Sequence, residues 1–430
     1  MNALVIGYGV TGKSVAEFLI KYKNRVYIYD DRKEVMDSLP ENLLAWDGSI
    51  EIDLAVKSPG VSYENEIVKN LTERNIEIIS EIELAARYVD NEKIVTVTGT
   101  NGKSTTVSLI AAILENAGKK VFLCGNIGEP IINGVGRGYD ILVVEMSSYQ
   151  IENLKSLHPD VTAVLNVSPD HLDRYESYEE YLLTKVMLAK LTKKDGLIVL
   201  NGSDAPLLAV AESVDIKKDY FSSDKPGEIA YRNGCIYFRN SEIVMDEIKL
   251  SGIHNVENIM ASILCVEHFN ISETDITDAV YQFQGLPHRT EFVDKIEGVT
   301  FVDDSKGTNV GAVEKSLAGF ERYSVVLILG GVDKGGSYEP LVELVKEICR
   351  GIVLIGSSVE IIKPFFEGVV SIDEAGSMME AVEKAFNMAK GNGTVLLSPA
   401  CSSFDWYSNY KERGKHFVTC VGELKEKIKK

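Results

Sequence analysis

Three consecutive α/β domains, each on a mainly parallel sheet, are predicted by three observations. A chain of 430 residues has room for about three domains of ordinary size. Short apolar, β-branched runs recur along it, each closed by a loop rich in Gly, Ser, Thr, Asp or Lys. Two of those loops, at residues 7–12 and 99–104, are glycine-rich turns from a strand into a helix. The resulting expectation is a Rossmann-like domain at 1–90, a central domain of the P-loop type at 91–286 and a second Rossmann-like domain at 287–430.

The first domain opens with strand Ala3 to Ile6, the turn Gly7-Tyr8-Gly9-Val10-Thr11-Gly12, a helix through Lys21, and strand Arg25 to Tyr29 ending at Asp30-Asp31. That order matches a dinucleotide fingerprint. A full dinucleotide domain needs two mononucleotide halves, however, and a new phosphate loop begins near residue 99. The glycines are therefore expected to hold a single nucleotide or a diphosphate. Lys57-Ser58-Pro59-Gly60 follows strand Leu54 to Val56 and could face the same ligand.

In the second domain, strand Ile94 to Val97 runs into Gly99-Thr100-Asn101-Gly102-Lys103-Ser104, and Thr105 to Asn116 has helical spacing. Glycines let several backbone N–H groups converge, the helix N-terminus adds partial positive charge, Lys103 neutralises phosphate and a hydroxyl can ligate Mg²⁺. The pattern G-x-x-x-x-G-K-[ST] needs glycine where Val97 sits, so the loop is a shorter variant. A nucleotide-phosphate site is predicted. Strand Ile141 to Val144 ends in Glu145, and strand Val161 to Leu165 ends in Asn166 before Asp170-His171. Ligands gather at the carboxyl ends of parallel strands, so Glu145 and His171 are expected at the Lys103 loop, Glu145 as a Mg²⁺ ligand.

Ser177 to Leu191 reads as an amphipathic helix with Lys185 near its apolar face, where a lysine ordinarily snorkels to solvent. Residues 228–239 are two β-prone runs around Asn233-Gly234, a hairpin signal. At the next helix start, His254, Asn255 and Asn258 fit a capping role and a ligand role equally. In the third domain, strands at 299–303, 325–329, 352–355 and 394–397 each end in a polar loop, as a binding crevice requires.

Composition narrows the function. The 45 basic and 64 acidic residues give a net charge of −19, which argues against nucleic acid or an anionic membrane as partner. Cysteines 124, 235, 265, 349, 401 and 420 have no metal-ligand spacing and read as free thiols of a reducing cytoplasm. The N-terminus enters a strand directly, so no signal peptide is expected, and no apolar run approaches the ~18 residues of a membrane span.

Six motifs in order resemble the Mur ligases, the ATP-dependent amide-forming enzymes of peptidoglycan synthesis. They are Thr98–Thr106 (TGTNGKSTT), Glu145-Met-Ser-Ser, Asn166 to Asp173, Gly252-x-His254-Asn255-x-x-Asn258, Leu286-Pro287-His288-Arg289 and Asp304-Ser305-Lys306-x-Thr308-Asn309. The first glycine turn, the Gly330–Lys334 loop and the stretch Ser398–Gly414 resemble the branch that joins D-glutamate to UDP-N-acetylmuramoyl-L-alanine. The resemblance implies activation of a carboxylate by ATP as an acyl phosphate, attack by the amine, and collapse of a tetrahedral intermediate to amide, ADP and phosphate.

It further implies ATP contacts at Gly99 to Thr105, Asn258, His288, Arg289, Asp304 and Lys306. Two Mg²⁺ would be held by Ser104, Glu145, His171 and a carbamate on Lys185, with Lys103, Glu145, His171 and Lys185 catalytic. UDP would lie on Val10, Thr11, Asp30, Asp31, Arg32, Ser58, Gly60 and Asn126. D-glutamate would lie on Ser147, His171, Thr308, Lys334, Ser403 and Phe404. One departure stands out: Asp30-Asp31-Arg32 replaces an expected Asp-Thr-Arg. A third domain hinged near Gly285 to Thr290 and a monomeric state complete the expectations. The alternatives are another Mur ligase with a different amino acid, a folylpolyglutamate synthase, which lacks such a first domain, an NAD-dependent dehydrogenase, and a nucleotide-binding regulator without condensation chemistry.

Overall fold

The computed structural model describes every residue except 171–173, 226, 251 and 430. These residues form two compact units, one of residues 1–167, 177–244 and 257–282, the other of residues 168–176, 245–256 and 283–430.

The first unit carries two parallel sheets. In one, β1 (Asn2–Ile6), β2 (Arg25–Tyr29), β3 (Leu44–Ala45), β4 (Leu54–Lys57) and β5 (Glu77–Ser80) lie in the order β3-β2-β1-β4-β5. In the other, β6 (Lys93–Thr98), β7 (Val121–Gly125), β8 (Ile141–Glu145), β9 (Val161–Val164), β10 (Leu197–Asn201) and β11 (Lys217–Phe221) lie in the order β11-β10-β9-β6-β8-β7. Every residue of β8 and β9 is buried, as strands covered on both faces must be. The predicted hairpin is present as β12 (Ile229–Arg232) and β13 (Cys235–Phe238), with β14 (Ser241–Val244) added antiparallel.

One apolar cluster joins the two parallel sheets, running from Val15 and Leu19 through Ile82 to Ile131, Leu142 and Leu188. The helix Glu81–Ala86 latches them further. Glu81 accepts from the Ile132 N–H at 2.7 Å, and Glu83 from the N–H groups of Lys155 and Ser156 at 2.8 and 3.0 Å.

The second unit is built on β15 (Glu291–Ile296), β16 (Val299–Asp303), β17 (Val325–Gly330), β18 (Cys349–Ile355), β19 (Ser371–Ala375) and β20 (Thr394–Leu397), ordered β15-β16-β20-β17-β18-β19. Only the β15–β16 pair among them is antiparallel. Val326 and Ile328 enter one apolar cluster, while Val325, Leu327 and Leu329 enter the other, as a period of two requires. Insertion of β20 between β16 and β17 sets three polar strand ends side by side.

Candidate functional site

At the switch point of the first sheet, the ends of β1, β2 and β4 enclose a cleft of about 500 Å³. It is lined by Val10, Thr11, Asp30, Asp31, Arg32, Ser58 and Gly60, all the positions expected at the UDP end except Asn126. Asp30 is spoken for inside the turn. Its Oδ2 accepts from the Tyr8 N–H at 2.7 Å and Arg32 Nη2 at 2.8 Å, and its Oδ1 from the Arg32 N–H at 3.0 Å and Nε at 2.8 Å. The Arg32 guanidinium holds this carboxyl well below the usual carboxylate range. Asp31 accepts from Tyr29 Oη at 2.9 Å and Asn65 Nδ2 at 3.1 Å.

At the switch point of the second sheet, β6 passes between β9 and β8 into the predicted phosphate loop. The helix Lys103–Asn116 opens on Lys103 and Ser104, and Gly102 before it sits in the left-handed region at φ +88°. A methyl on Gly102 would lie 2.3 Å from Asn258 Oδ1, so only glycine fits there. Asn166 clasps the loop: its carbonyl accepts from the Thr100 N–H at 2.9 Å, its Oδ1 from the Asn101 N–H at 2.9 Å, and its Nδ2 donates to the Asn101 carbonyl at 3.1 Å. Lys103 Nζ donates to the Gly99 and Thr100 carbonyls at 2.7 and 2.8 Å. Ser104 and Thr105 are buried beneath it.

Lys185 does not snorkel. Its side chain is 1% exposed, with Nζ 3.0 Å from the Gly99 carbonyl and 4.5 Å from the centroid of the Tyr181 ring. Tyr181 Oη in turn reaches Thr100 Oγ1 at 3.3 Å. Glu145, at the end of β8, is 2% exposed; Asn126 Nδ2 donates to its Oε1 at 2.8 Å, and its Oε2 has no hydrogen-bond partner among the described residues. An orphaned carboxylate oxygen beside a phosphate loop fits a hard cation such as Mg²⁺. Ser147 caps the helix Ser148–Ile151, its hydroxyl on Gln150 Oε1 at 2.9 Å. His171 lies outside the described residues.

In the second unit, the loops after β16, β17 and β20 carry the other expected positions. Lys334 Nζ donates to Thr308 Oγ1 at 3.4 Å. Val332 and Ser402 exchange backbone hydrogen bonds at 2.9 and 3.0 Å, tying the Lys334 loop to the one bearing Ser403 and Phe404. Ser403 is buried and Phe404 is 71% exposed. Asp304 Oδ2 accepts from Ser316 and Ser398 hydroxyls, both at 2.6 Å, and burial pushes its carboxyl up to about 6. Lys306 Nζ sits 4.1 Å from the centroid of the Tyr410 ring. His288 Nδ1 pairs with Asp303 Oδ2 at 2.7 Å, and the Arg289 N–H donates to the Leu286 carbonyl at 3.3 Å. Positive φ values at His288 and Thr290 (64° and 46°) mark the expected hinge segment as locally strained, while Gly285 takes its 81° without strain.

Sequence reasoning passed over Asn166, Tyr181 and Arg413 as organisers of these loops, and it assigned Asn126 to substrate alone. Asn166 and Arg413 both stood in quoted stretches without being singled out. For a buried arginine no local pattern exists, since arginine is ordinarily a surface residue.

Three family models match in turn: Mur ligase MurD-like, N-terminal domain, at residues 1–80; Mur ligase middle domain at 97–266; and Mur ligase, glutamate ligase domain, at 288–401. A UDP-N-acetylmuramoylalanine–D-glutamate ligase of Geobacter sp. (strain M21) is 40% identical over 97% of this chain and 96% of its own length. One of the same name from Caldicellulosiruptor saccharolyticus is 37% identical over 98% and 99%. Among solved structures, the UDP-N-acetylmuramate–alanine ligase MurC of Thermotoga maritima superposes with a TM-score of 0.65 at 18% identity, covering 99% of this chain and 100% of that one. MurF ligase of Thermotoga maritima, in complex with ADP, gives 0.65 at 20% identity over 99% and 95%. At those identities the structures speak for the fold, while the near-full-length relatives speak for descent: the chain belongs to the Mur ligases.

Proposed function

We infer that the chain is an ATP-dependent ligase that adds D-glutamate to UDP-N-acetylmuramoyl-L-alanine in peptidoglycan synthesis. The observation that carries this reading is the near-full-length similarity to relatives bearing that name. The residues supply a consistent chemistry. The Gly99–Gly102 backbone and Lys103 would receive the ATP phosphates, Lys103 exchanging two carbonyls for phosphate oxygens, while the substrate carboxylate takes the γ-phosphoryl group as an acyl phosphate. The D-glutamate amine then attacks the acyl carbon, and the tetrahedral intermediate expels phosphate to leave the amide.

Ser104 and Glu145 would hold one Mg²⁺, and His171 with a carbamate on Lys185 a second; bound there, the ions would neutralise phosphate charge. The carbamate N–H could keep the bond that Lys185 Nζ makes to the Gly99 carbonyl. Asn258, His288, Arg289, Asp304 and Lys306 are assigned to the nucleotide, and the cleft of the first sheet to UDP. Thr308, Lys334, Ser403, Phe404 and Ser147 are assigned to D-glutamate, whose two carboxylates need cations and hydroxyls. We retain the division 1–90, 91–286 and 287–430, because a separate sheet falls in each. The six free cysteines support a cytoplasmic setting, and no described helix is long and apolar enough to cross a membrane. A monomer is proposed as the working unit.

The test is ATP-dependent phosphate release with UDP-N-acetylmuramoyl-L-alanine and, in turn, D-Glu, L-Ala, L-Lys or diaminopimelate. Release with D-Glu alone, abolished in Lys103→Ala, is expected. Release only with another amino acid would keep the family and change the substrate.

A further inference from the structure

Arg413, in the first turn of the helix Tyr410–Lys429, is 1% exposed and among the largest fully buried side chains of the protein. Its fork grips two loops at once. Nε donates to Ser305 Oγ at 3.0 Å and Nη2 to the Ser305 carbonyl at 2.9 Å; Nη1 and Nη2 each reach the Cys401 carbonyl at 3.1 Å, and Nη1 the Ser402 carbonyl at 3.3 Å. The third loop is pressed against it as well, since a methyl on Gly331 would sit 3.1 Å from Nη1. Every one of these partners is neutral, and no carboxylate forms an ion pair with Arg413 among the described residues.

A buried cation without a counter-ion is a costly way to join three loops that hydroxyls or amides could also join. Two consequences distinguish it from a neutral tie. The planar guanidinium sets the relative positions of the carbonyls it bridges, which a flexible amine cannot do. Its charge is also placed, with no carboxylate bonded to it among the described residues, at the strand ends that carry Thr308, Lys334 and Ser403. Asp303 and Asp405 are the acids whose charge reaches it, and burial pushes the guanidinium down to about 10, still protonated at neutral pH.

We propose that Arg413 is a positioning residue for the incoming amino acid: it locks the 304–309, 330–337 and 398–405 loops together and lends them the positive potential that draws a dicarboxylate. The proposal rests on the assignment of Thr308, Lys334 and Ser403 to the amino acid.

The test is steady-state kinetics on the full chain, with KM measured separately for D-glutamate, ATP and the UDP substrate. Arg413→Lys keeps the charge and loses the fork, and should raise KM for D-glutamate about tenfold while the other two stay within about twofold. Arg413→Ala should be weaker still, and millimolar guanidinium, unlike ammonium, should restore its KM for D-glutamate. Ser305→Ala removes one contact, leaves Arg413 in place and should give a smaller rise in the same constant; it carries the test if Arg413→Ala does not fold. A common rise in all three KM values, or an unchanged KM for D-glutamate in Arg413→Lys and Ser305→Ala, overturns the proposal. Lys334→Ala is the reference. If it alone raises KM for D-glutamate, the proposal falls and the site assignment stands; if it too has no effect, the assignment falls first.

Discussion

The side-chain amide of Asn126 donates to Glu145 Oε1 at 2.8 Å, and the carboxylate's other oxygen is buried without a partner among the described residues. Asn126 thus fixes the rotation of the acid and leaves one oxygen for a ligand. Groups that orient a metal ligand commonly contribute ten- to a hundredfold in metal affinity or activity. Asn126→Leu should therefore raise the Mg²⁺ concentration for half-maximal activity by about tenfold, with KM for the UDP substrate little changed. The reverse pattern would return Asn126 to the substrate role that the sequence suggested.

Gly102→Ala tests the loop geometry. The φ of +88° disfavours any side chain by about 1–2 kcal/mol, and the new methyl would meet Asn258 Oδ1 at 2.3 Å. KM for ATP should rise by tenfold or more, and the thermal midpoint should fall by a few degrees. In the double variant Gly102→Ala/Asn258→Ala the clash is gone, so the two effects should fall short of additive. Strict additivity would mean the methyl acts through the backbone alone.

These two sites show which parts of the molecule were legible in the sequence. β1, β2, β4, β6, β8, β9 and the hairpin announced themselves through β-branched runs closed by glycine or polar turns. β3, of two residues, and β5 and β15, which each open on an exposed glutamate and mix polar with apolar residues, carry a weaker apolar signal. The loop residues were readable because glycine, lysine and hydroxyl chemistry is local. Helical spacing alone leaves Lys185 on the snorkelling reading, and only the resemblance singles it out, because its partner Gly99 lies 86 positions away. Arg413 went unnoticed because Ser305 lies 108 positions away. Side chains whose role is to join distant loops leave no periodic trace.

Glu81 gives a pH signature. Its burial raises the carboxyl from 4.5 to about 7, against a single opposing hydrogen bond from the Ile132 N–H. A folded-state value above the unfolded one means that, between about pH 4.5 and 7, the folded chain holds a proton the unfolded chain has released. Stability from this group is thus present at low pH and lost as pH rises through 7, by about 3 kcal/mol at most. Asp304, raised to about 6, acts in the same direction. His254, lowered to about 4 chiefly by burial, acts in the opposite one. The difference between wild type and Glu81→Gln isolates Glu81. Urea midpoints should show the variant more stable near pH 8 and the two converging near pH 5; a constant gap would refute the assignment.

Lys185 separates stability from activity. Its Nζ is buried against the Gly99 carbonyl and the Tyr181 ring, 3.0 and 4.5 Å away. A methionine of similar volume keeps the packing against the Tyr181 ring and removes the reactive amine. Lys185→Met should therefore unfold near the urea concentration of wild type, while kcat falls by at least a hundredfold. Lys185→Arg distinguishes two reasons for that loss. An arginine keeps a positive charge and does not react with CO₂, so if the carbamate is what matters, this variant should be as inactive as Lys185→Met. Labelled CO₂ should correspondingly give a carbamate signal in wild type that is missing from both variants. Near-wild-type turnover in Lys185→Arg would show that the position serves as a plain cation at the phosphate loop, and the second Mg²⁺ site would then need another ligand.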